Sequence, residues 1–381
     1  MVLRYAQRMP GRPRNSVTFT VIVTVLSVLG ALAMILVIAL SGAPSSLALA
    51  TALAALPVGP LVGCYLWLDR YEPEPKTLLA TGLVWGGFVA TAGTLVIQGV
   101  GGLFVPLSET VSLAVAAPIV EEAAKGFFLL LLLWWRRHEL DGILDGLVYA
   151  GMVGIGFAFV ENILYLAAAY NGTDATGPGG TEALTGTFVL RCLISPFAHP
   201  LFTAFTGIGV GIAVSSRSSV VRFLAPLAGY VLAVLAHGLW NGSTLGGVEG
   251  FAGVYLLLMA PALIGIAIFA VFARRSERRL LVASLDDAAG RGLLPASDIP
   301  WLVDLGARRR ARAFAQAQGG ESGKRAMRDY QQAAVELGFL HHRFLRGTPP
   351  DDYAERGASY VTEIRAVRPF VSFPGQLVPT R

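Results

Sequence analysis

The chain has 381 residues, of which 54% are hydrophobic and only 14% are charged. A soluble globular protein carries about 25% charged residues, so this composition excludes an ordinary soluble domain. The pI near 9.4 does not indicate nucleic-acid binding, because the basic residues of the apolar part lie at the ends of apolar segments, which is a topology signal of membrane proteins.

Eight apolar segments are each long enough to cross a bilayer, which requires about 20 residues for roughly 30 Å of hydrocarbon. A spanning segment must satisfy its own backbone hydrogen bonds, so each is predicted to be a helix. The predicted spans are 17–41, 47–68, 77–105, 110–135, 143–169, 187–214, 223–245 and 251–273. The sequence therefore predicts an all-α fold, a polytopic membrane helix bundle of about eight transmembrane helices. Both cysteines, Cys64 and Cys192, lie within spans, so no disulfide framework is indicated.

The basic residues are concentrated at alternate ends of these spans. Fourteen Lys and Arg residues lie before the first span and after the second, fourth, sixth and eighth spans. The other connecting segments, near 42–46, 102–109, 170–186 and 246–250, contain none. Because loops rich in Lys and Arg stay in the cytoplasm, we predict a multi-pass protein of the cell membrane with both termini cytoplasmic.

The C-terminal part has a different composition from the apolar body. Residues 280–381 contain 25 of the 55 charged residues. Helices are predicted over Asp298–Gln318 and Lys324–Leu345, separated by Gly319-Gly320, whereas the sequence from Gly347 onward is predicted to be irregular. The predicted domains are a cytoplasmic N-terminal segment (1–16), an eight-span transmembrane domain (17–279) and a small cytoplasmic helical tail (280–381).

Three carboxylates and two histidines lie deep inside the predicted spans, namely Glu121, Glu122, Glu161, His199 and His237. An ionisable group at such depth typically costs ~2.5–3.5 kcal/mol on insertion scales. At 1.5 Å rise per residue, all five lie roughly 20–27 Å from the cytoplasmic ends of their spans. Four consecutive helices thus carry polar groups in one layer, and we predict a functional site inside the membrane.

Further polar residues accompany these groups on the same helices. Residues four apart share a helix face, and the companions are Lys125, Asn162, Thr203 and Asn241. Taken singly, Lys125 would neutralise Glu121, and the Thr and Asn residues would join helices. Taken together, the alternatives to an enzyme are a proton-coupled transporter, which also uses intramembrane Glu and His, and a non-catalytic scaffold or immunity-type protein.

Four short motifs, one on each of four consecutive spans, resemble those of the PrsW-type intramembrane proteases, which are related to the type II CAAX prenyl endopeptidases and the bacteriocin-processing group. The motifs are EExxK at Glu121–Lys125, FxxxEN at Phe157–Asn162, HxxxT at His199–Thr203 and HxxxN at His237–Asn241. The stretch Asp69–Pro75 also looks like a cytoplasmic loop of such chains. The prenyl-protein relatives usually have His where Glu161 stands and Arg one position beyond Lys125, so these departures favour the PrsW side.

The resemblance implies a membrane-embedded endopeptidase with the paired glutamates and the histidines as essential groups. Its expected substrate is a single-pass or lipid-anchored membrane protein, and its other expected partner is the lipid bilayer. The predicted catalytic residues are Glu121, Glu122, Glu161, His199, His237 and Asn241, with Lys125, Asn162 and Thr203 in supporting positions.

Two versions of the hydrolytic chemistry fit these residue types. In the first, Zn²⁺ is held by Glu161, His199 and His237, since catalytic zinc has three protein ligands, and Glu121 or Glu122 is the general base. In the second, no metal takes part: a glutamate and a histidine polarise the water, and His237 with Asn241 stabilises the oxyanion. The sequence contains no HExxH motif, the strongest zinc-protease signal, so both versions stay open.

Overall fold

A computed structural model describes residues 16–41, 43–172 and 177–375. These described residues are mainly helical and form no β-strand, which confirms the predicted all-α class. They divide into two compact units, one containing residues 16–69 and 74–270 and the other containing residues 70–73 and 271–375. Almost all of the predicted N-terminal segment, 1–16, lies outside the described residues.

The apolar part of the described chain folds into eight long helices. They are α1 (Val17–Leu40), α2 (Pro44–Leu68), α3 (Lys76–Phe104), α4 (Ala117–Trp135, continuous with Glu109–Val111 and Ser112–Ala116 before it), α5 (Ile143–Asn171), α6 (Thr181–Ser215), α7 (Ser219–Leu245) and α8 (Gly247–Gly290). All but α4 are long and apolar enough to cross a membrane.

Helix α4 is the place where the predicted count of about eight spans differs from the structure, in which seven helices meet the length and composition of a span. With its preceding turns α4 is long enough, since about 20 residues suffice. It falls short in composition because it carries Glu121, Glu122 and Lys125. All three side chains are buried inside the protein, so α4 meets the cost of its charges through protein partners.

Helix α6 is interrupted where the sequence predicted one continuous span over 187–214. A π-helical segment occupies Val189–Ile194, Ser195 leaves the helical region (φ −125°, ψ 37°), and the α-helix resumes at Ala198. Similar π-helical segments lie at Trp85–Ala90 in α3 and at Ser112–Ala116 before α4. Such segments are frequent at functional sites, and they change the direction in which the following side chains point.

Helices α5 and α6 form the centre of the first unit. Of the most apolar part of α5, 89% is buried, compared with 11% for α7. Glycines allow this close packing: a Cβ added to Gly146 would lie 2.1 Å from the carbonyl oxygen of Gly207, and a Cβ added to Gly207 would lie 2.3 Å from that of Gly146. Backbone contact between α5 and α6 therefore sets the spacing between the residues that follow on both helices.

The second unit is a helical domain built from the end of α8, α9 (Ile299–Val303), α10 (Leu305–Arg346) and α11 (Tyr353–Val367). Asp298 is fully buried in it, where it accepts hydrogen bonds from Arg368 and from the Tyr330 hydroxyl. The predicted break is present, because Gly319 and Gly320 are not helical.

The prediction of irregular structure after Gly347 is wrong for α11. Its buried residues Ile364 and Val367 belong to the apolar core of the second unit, which also contains Leu281, Met327 and Phe373. Long-range packing therefore stabilises a helix that the Pro- and Asp-containing sequence before it did not indicate.

Candidate active site

Four helices bring the five deep ionisable residues into one cluster. Glu122 Oε1 lies 2.9 Å from His237 Nδ1, and Glu161 Oε2 lies 2.7 Å from His199 Nε2. The two imidazole rings are 5.2 Å apart between centroids, and Glu121 Oε2 lies 3.7 Å from His237 Nε2. Helices α4, α5, α6 and α7 thus meet at the layer predicted from the sequence.

The ammonium group of Lys125 lies inside this cluster. Its Nζ donates to Glu122 Oε1 at 2.8 Å, lies 3.5 Å from Glu121 Oε2, and lies 3.0 Å from His199 Nδ1. The same Nζ lies 3.8 Å from the centre of the Phe157 ring, a distance suited to a cation–π contact. Lys125 is fully buried, so its charge acts on the carboxylates with little screening by water.

Arg191 is a further charged member of the cluster, which reasoning from acids and histidines missed. It forms an ion pair with Glu161, its Nε donates to Asn162 Oδ1 at 2.8 Å, and its guanidinium carbon lies 3.9 Å from the centre of the Tyr165 ring. The available signal was an arginine inside an apolar segment, since such residues are rare in spans and face the protein interior.

The charges of the cluster do not cancel when the histidines are neutral. Three carboxylates, Glu121, Glu122 and Glu161, face two permanent cations, Lys125 and Arg191, which leaves a net charge of −1. Buried charge is costly unless it is paired. A proton or a bound cation would balance the excess, and the cluster is therefore suited to take up positive charge.

The hydrogen-bond partners determine which ring nitrogen of each neutral histidine has a free lone pair. Lys125 can only donate, so Nδ1 of His199 accepts and its Nε2–H donates to Glu161. Glu122 accepts from His237 Nδ1–H, which leaves a lone pair on Nε2 of His237, facing Glu121. Carboxylates that orient imidazoles in this way are typical of metal-binding histidines.

The metal ligands predicted from the sequence and the group seen in the structure differ in one residue. Glu121, His199 and His237 each offer one ligand atom, and these atoms lie within 4.8 Å of one another. The predicted set has Glu161 in place of Glu121. In the structure Glu161 contacts the opposite nitrogen of His199 and pairs with Arg191, so its carboxylate is positioned to orient that histidine.

The predicted supporting residues have different surroundings. Thr203 Oγ1 donates to Glu122 Oε2 at 3.3 Å and so joins the cluster, as Asn162 does through Arg191. Asn241 instead donates from Nδ2 to the carbonyl oxygen of Leu113 at 3.1 Å, in the π-helical segment before α4. This contact connects α7 to that segment, and the catalytic role of Asn241 stays a prediction.

Comparison with known proteins agrees with this arrangement. A family model described as "PrsW family intramembrane metalloprotease" matches residues 74–266, a range that includes the whole cluster. Protease PrsW of Geobacillus kaustophilus is 26% identical over 178 residues, which cover 46% of this chain and 72% of that protein. Protease PrsW of Oceanobacillus iheyensis is 25% identical over 208 residues, covering 55% of this chain and 86% of that protein. No solved structure resembles the chain closely enough to count as a match.

Proposed function

The chain belongs to the PrsW family of intramembrane metalloproteases, and from this premise we propose that it is an endopeptidase that hydrolyses peptide bonds of membrane-associated proteins within the bilayer. One observation carries the proposal: three carboxylates and two imidazoles from four helices of an integral membrane protein converge within hydrogen-bond distances. Such groups are expensive in a membrane unless they serve a purpose.

We propose Zn²⁺ as the cofactor, with Glu121, His199 and His237 as its protein ligands. The donor set fits this ion, because catalytic zinc is bound by three N or O ligands and keeps one position open. The free lone pairs on Nδ1 of His199 and Nε2 of His237 agree with this assignment. When bound, Zn²⁺ would supply a Lewis acid that polarises the scissile carbonyl.

The remaining residues of the cluster hold the histidines in place. Glu122 is saturated by Lys125, His237 and Thr203, so its role is to orient His237. Glu161 orients His199, and Arg191 holds Glu161. Preorganised charges of this kind stabilise charge that develops in the transition state without reorganising.

A metal-free mechanism is the alternative, and the position of Lys125 favours it. The ammonium lies in front of the lone pair on Nδ1 of His199, where a metal ion would bind. In this version Glu121 is the general base, because its contacts to Lys125 and His237 are the longest in the cluster, at 3.5 and 3.7 Å. Lys125 would then stabilise the oxyanion.

The exposure of the side chains indicates the side from which a substrate approaches. Exposure rises from 0% for Glu122, through 8% for Glu121 and 9% for His199, to 15% for Glu161 and 21% for Arg191. We propose that the substrate chain, a single-pass or lipid-anchored membrane protein, enters at the edge formed by Glu161 and Arg191.

Cleavage of single-span membrane proteins by the purified protein tests the proposal. We expect Glu121→Gln and His237→Ala to be inserted and folded yet to lose at least about 10³-fold in kcat. The matched controls are Glu109→Gln, an exposed glutamate before α4, and His138→Ala, a histidine of the Arg137–Glu139 turn; both should keep full activity. Full activity in either site variant would refute the assignment.

Metal content separates the two mechanisms without relying on activity. Elemental analysis of the purified protein should find about one zinc per chain, and His237→Ala should lose it. The metal-free version predicts no bound zinc and no effect of chelators on cleavage.

A further inference from the structure

The second unit contains a basic cleft that the proposed protease site does not use. The cleft has a volume of about 450 Å³. Its lining residues are Tyr71, Phe272, Arg274, Arg275, Arg278 and Arg279. Four of these six side chains carry a permanent positive charge, so the cleft is suited to an anionic ligand.

The four arginines share one side of α8, an arrangement that is unfavourable without a ligand. At about 100° per residue they fall within roughly 140° of the helix circumference. Arg274 and Arg278, and likewise Arg275 and Arg279, are like-charged neighbours four residues apart, which destabilises a helix. Glu277 is the nearby acid on the same helix, so the group still has a net charge of +3. An anion bound in the cleft would relieve this repulsion.

The cleft also has an apolar and aromatic side. Phe272, one turn before Arg275, is 57% exposed, and the long apolar stretch of the sequence ends at Ala273, directly before the arginines. The ring centre of Tyr71 lies 5.2 Å from the guanidinium carbon of Arg274. The carbonyl oxygen of Tyr71 accepts a hydrogen bond from the buried Arg308 at 3.1 Å, which holds Tyr71 in position.

We propose that this cleft binds the headgroup of an anionic phospholipid. The arginines would contact the phosphate, since guanidinium groups match phosphate geometry, and Phe272 would pack against the apolar part of the lipid. A basic group at the end of a membrane-spanning segment lies at the depth of the headgroups. A free phosphate would use the arginines alone, whereas the exposed Phe272 beside them fits a ligand that is both anionic and apolar.

Lipid titration of the full-length protein in detergent, followed by native mass spectrometry, tests the proposal. We expect a one-to-one adduct with phosphatidylglycerol that phosphatidylcholine does not form. Arg275→Gln/Arg278→Gln should weaken this adduct about 25-fold, or about fivefold for each arginine. The control Arg309→Gln/Arg310→Gln removes the same charge from exposed positions of α10 and should leave the affinity unchanged.

Two further arms keep the outcome decisive. Arg275→Lys/Arg278→Lys retains the charge and should bind within about threefold of the original protein, which separates loss of charge from misfolding. Millimolar inorganic phosphate should not displace phosphatidylglycerol. Displacement by phosphate, equal binding of phosphatidylcholine, or equal losses in the Arg309/Arg310 control would each overturn the proposal. None of these results depends on protease activity.

Discussion

Arg191 reaches the histidines of the cluster only through Glu161. It pairs with Glu161, whose carboxylate contacts Nε2 of His199, and its Nε holds Asn162. Arg191 is therefore a positioning residue, and its removal would leave Glu161 free to rotate away from His199.

We expect Arg191→Met to lower kcat on the order of 10–100-fold while changing KM little, because outer partners of metal-binding histidines typically have effects of this size. Bound zinc should fall in parallel. Arg191→Lys should recover part of both, since it keeps the charge but not the forked geometry. Arg222→Met, at an exposed position of α7, is the control. Unchanged kcat and zinc content in Arg191→Met would contradict the positioning role.

Asp69 and Glu74 form a second buried acidic pair, outside the membrane-spanning segments. The Glu74 backbone N–H donates to Asp69 Oδ2 at 3.0 Å, and the Tyr149 hydroxyl donates to Glu74 Oε2 at 2.5 Å. Burial raises the pKa of Asp69 from 3.8 to about 8, and burial also raises the pKa of Glu74 well above its usual value. The folded protein therefore binds protons at these sites more tightly than the unfolded chain does.

This pair should make the protein less stable as pH rises. Its stabilising contribution is complete below the unfolded pKa, near 4, and is lost progressively up to about pH 8 for Asp69, because the unfolded chain releases these protons first. Asp69→Asn/Glu74→Gln should flatten the dependence of Tm on pH between about 5 and 8. The exposed Glu109→Gln should leave it unchanged. An equally steep dependence in the double variant would rule out this pair as its source.

At the scale of helices, side chains and glycines determine how the cluster is assembled. Trp85 Nε1 donates to the carbonyl oxygen of Ala124 at 3.0 Å, and Asn241 donates to that of Leu113. Trp85 and Leu113 belong to π-helical segments, so both contacts link such a segment to another helix. Together with the contact of Gly146 with Gly207, they bring α4 to α7 close enough for their polar residues to meet.

Gly207→Ala should disturb both stability and activity. The new methyl group would lie 2.3 Å from the carbonyl oxygen of Gly146, and separating α5 from α6 should cost ~1–3 kcal/mol. Glu161 and His199 would move apart, so cleavage should fall as well. Gly186→Ala, also in α6 but with open space around it, should be neutral or slightly stabilising. Thermal unfolding and cleavage rates check both variants, and equal behaviour would argue against the helix contact.

At the scale of the whole molecule, the distribution of basic residues predicts the orientation in the membrane. Ser216 follows the sixth predicted span on the basic side, and Glu249 lies in the loop region that lacks Lys and Arg. We propose that the Ser216 side is cytoplasmic, because loops rich in Lys and Arg are retained there.

Cysteine labelling in intact cells tests this orientation. In a Cys64→Ala/Cys192→Ala background, Glu249→Cys should react with a membrane-impermeant maleimide added outside. Ser216→Cys should react only after permeabilisation. The reverse pattern would invert the topology and place the substrate entry edge on a different side of the membrane.

The sequence by itself determined the fold class, the layer of the site and its five central residues, Glu121, Glu122, Glu161, His199 and His237. These follow from local properties: the length of an apolar segment, the cost of a charge within it, and the spacing of residues on a single helix. Lys125 and Thr203 could be assigned to the same faces for the same reason.

Only the tertiary structure decided which of these groups contact each other. The approach of Glu121 rather than Glu161 to the free lone pair of His237, and the ion pair of Arg191 with Glu161, depend on how each helix is rotated about its axis. That rotation is set by the glycine contacts, by the π-helical segments and by the interruption of α6 after Ile194. Such features arise from packing between helices, so no single helix sequence carries them.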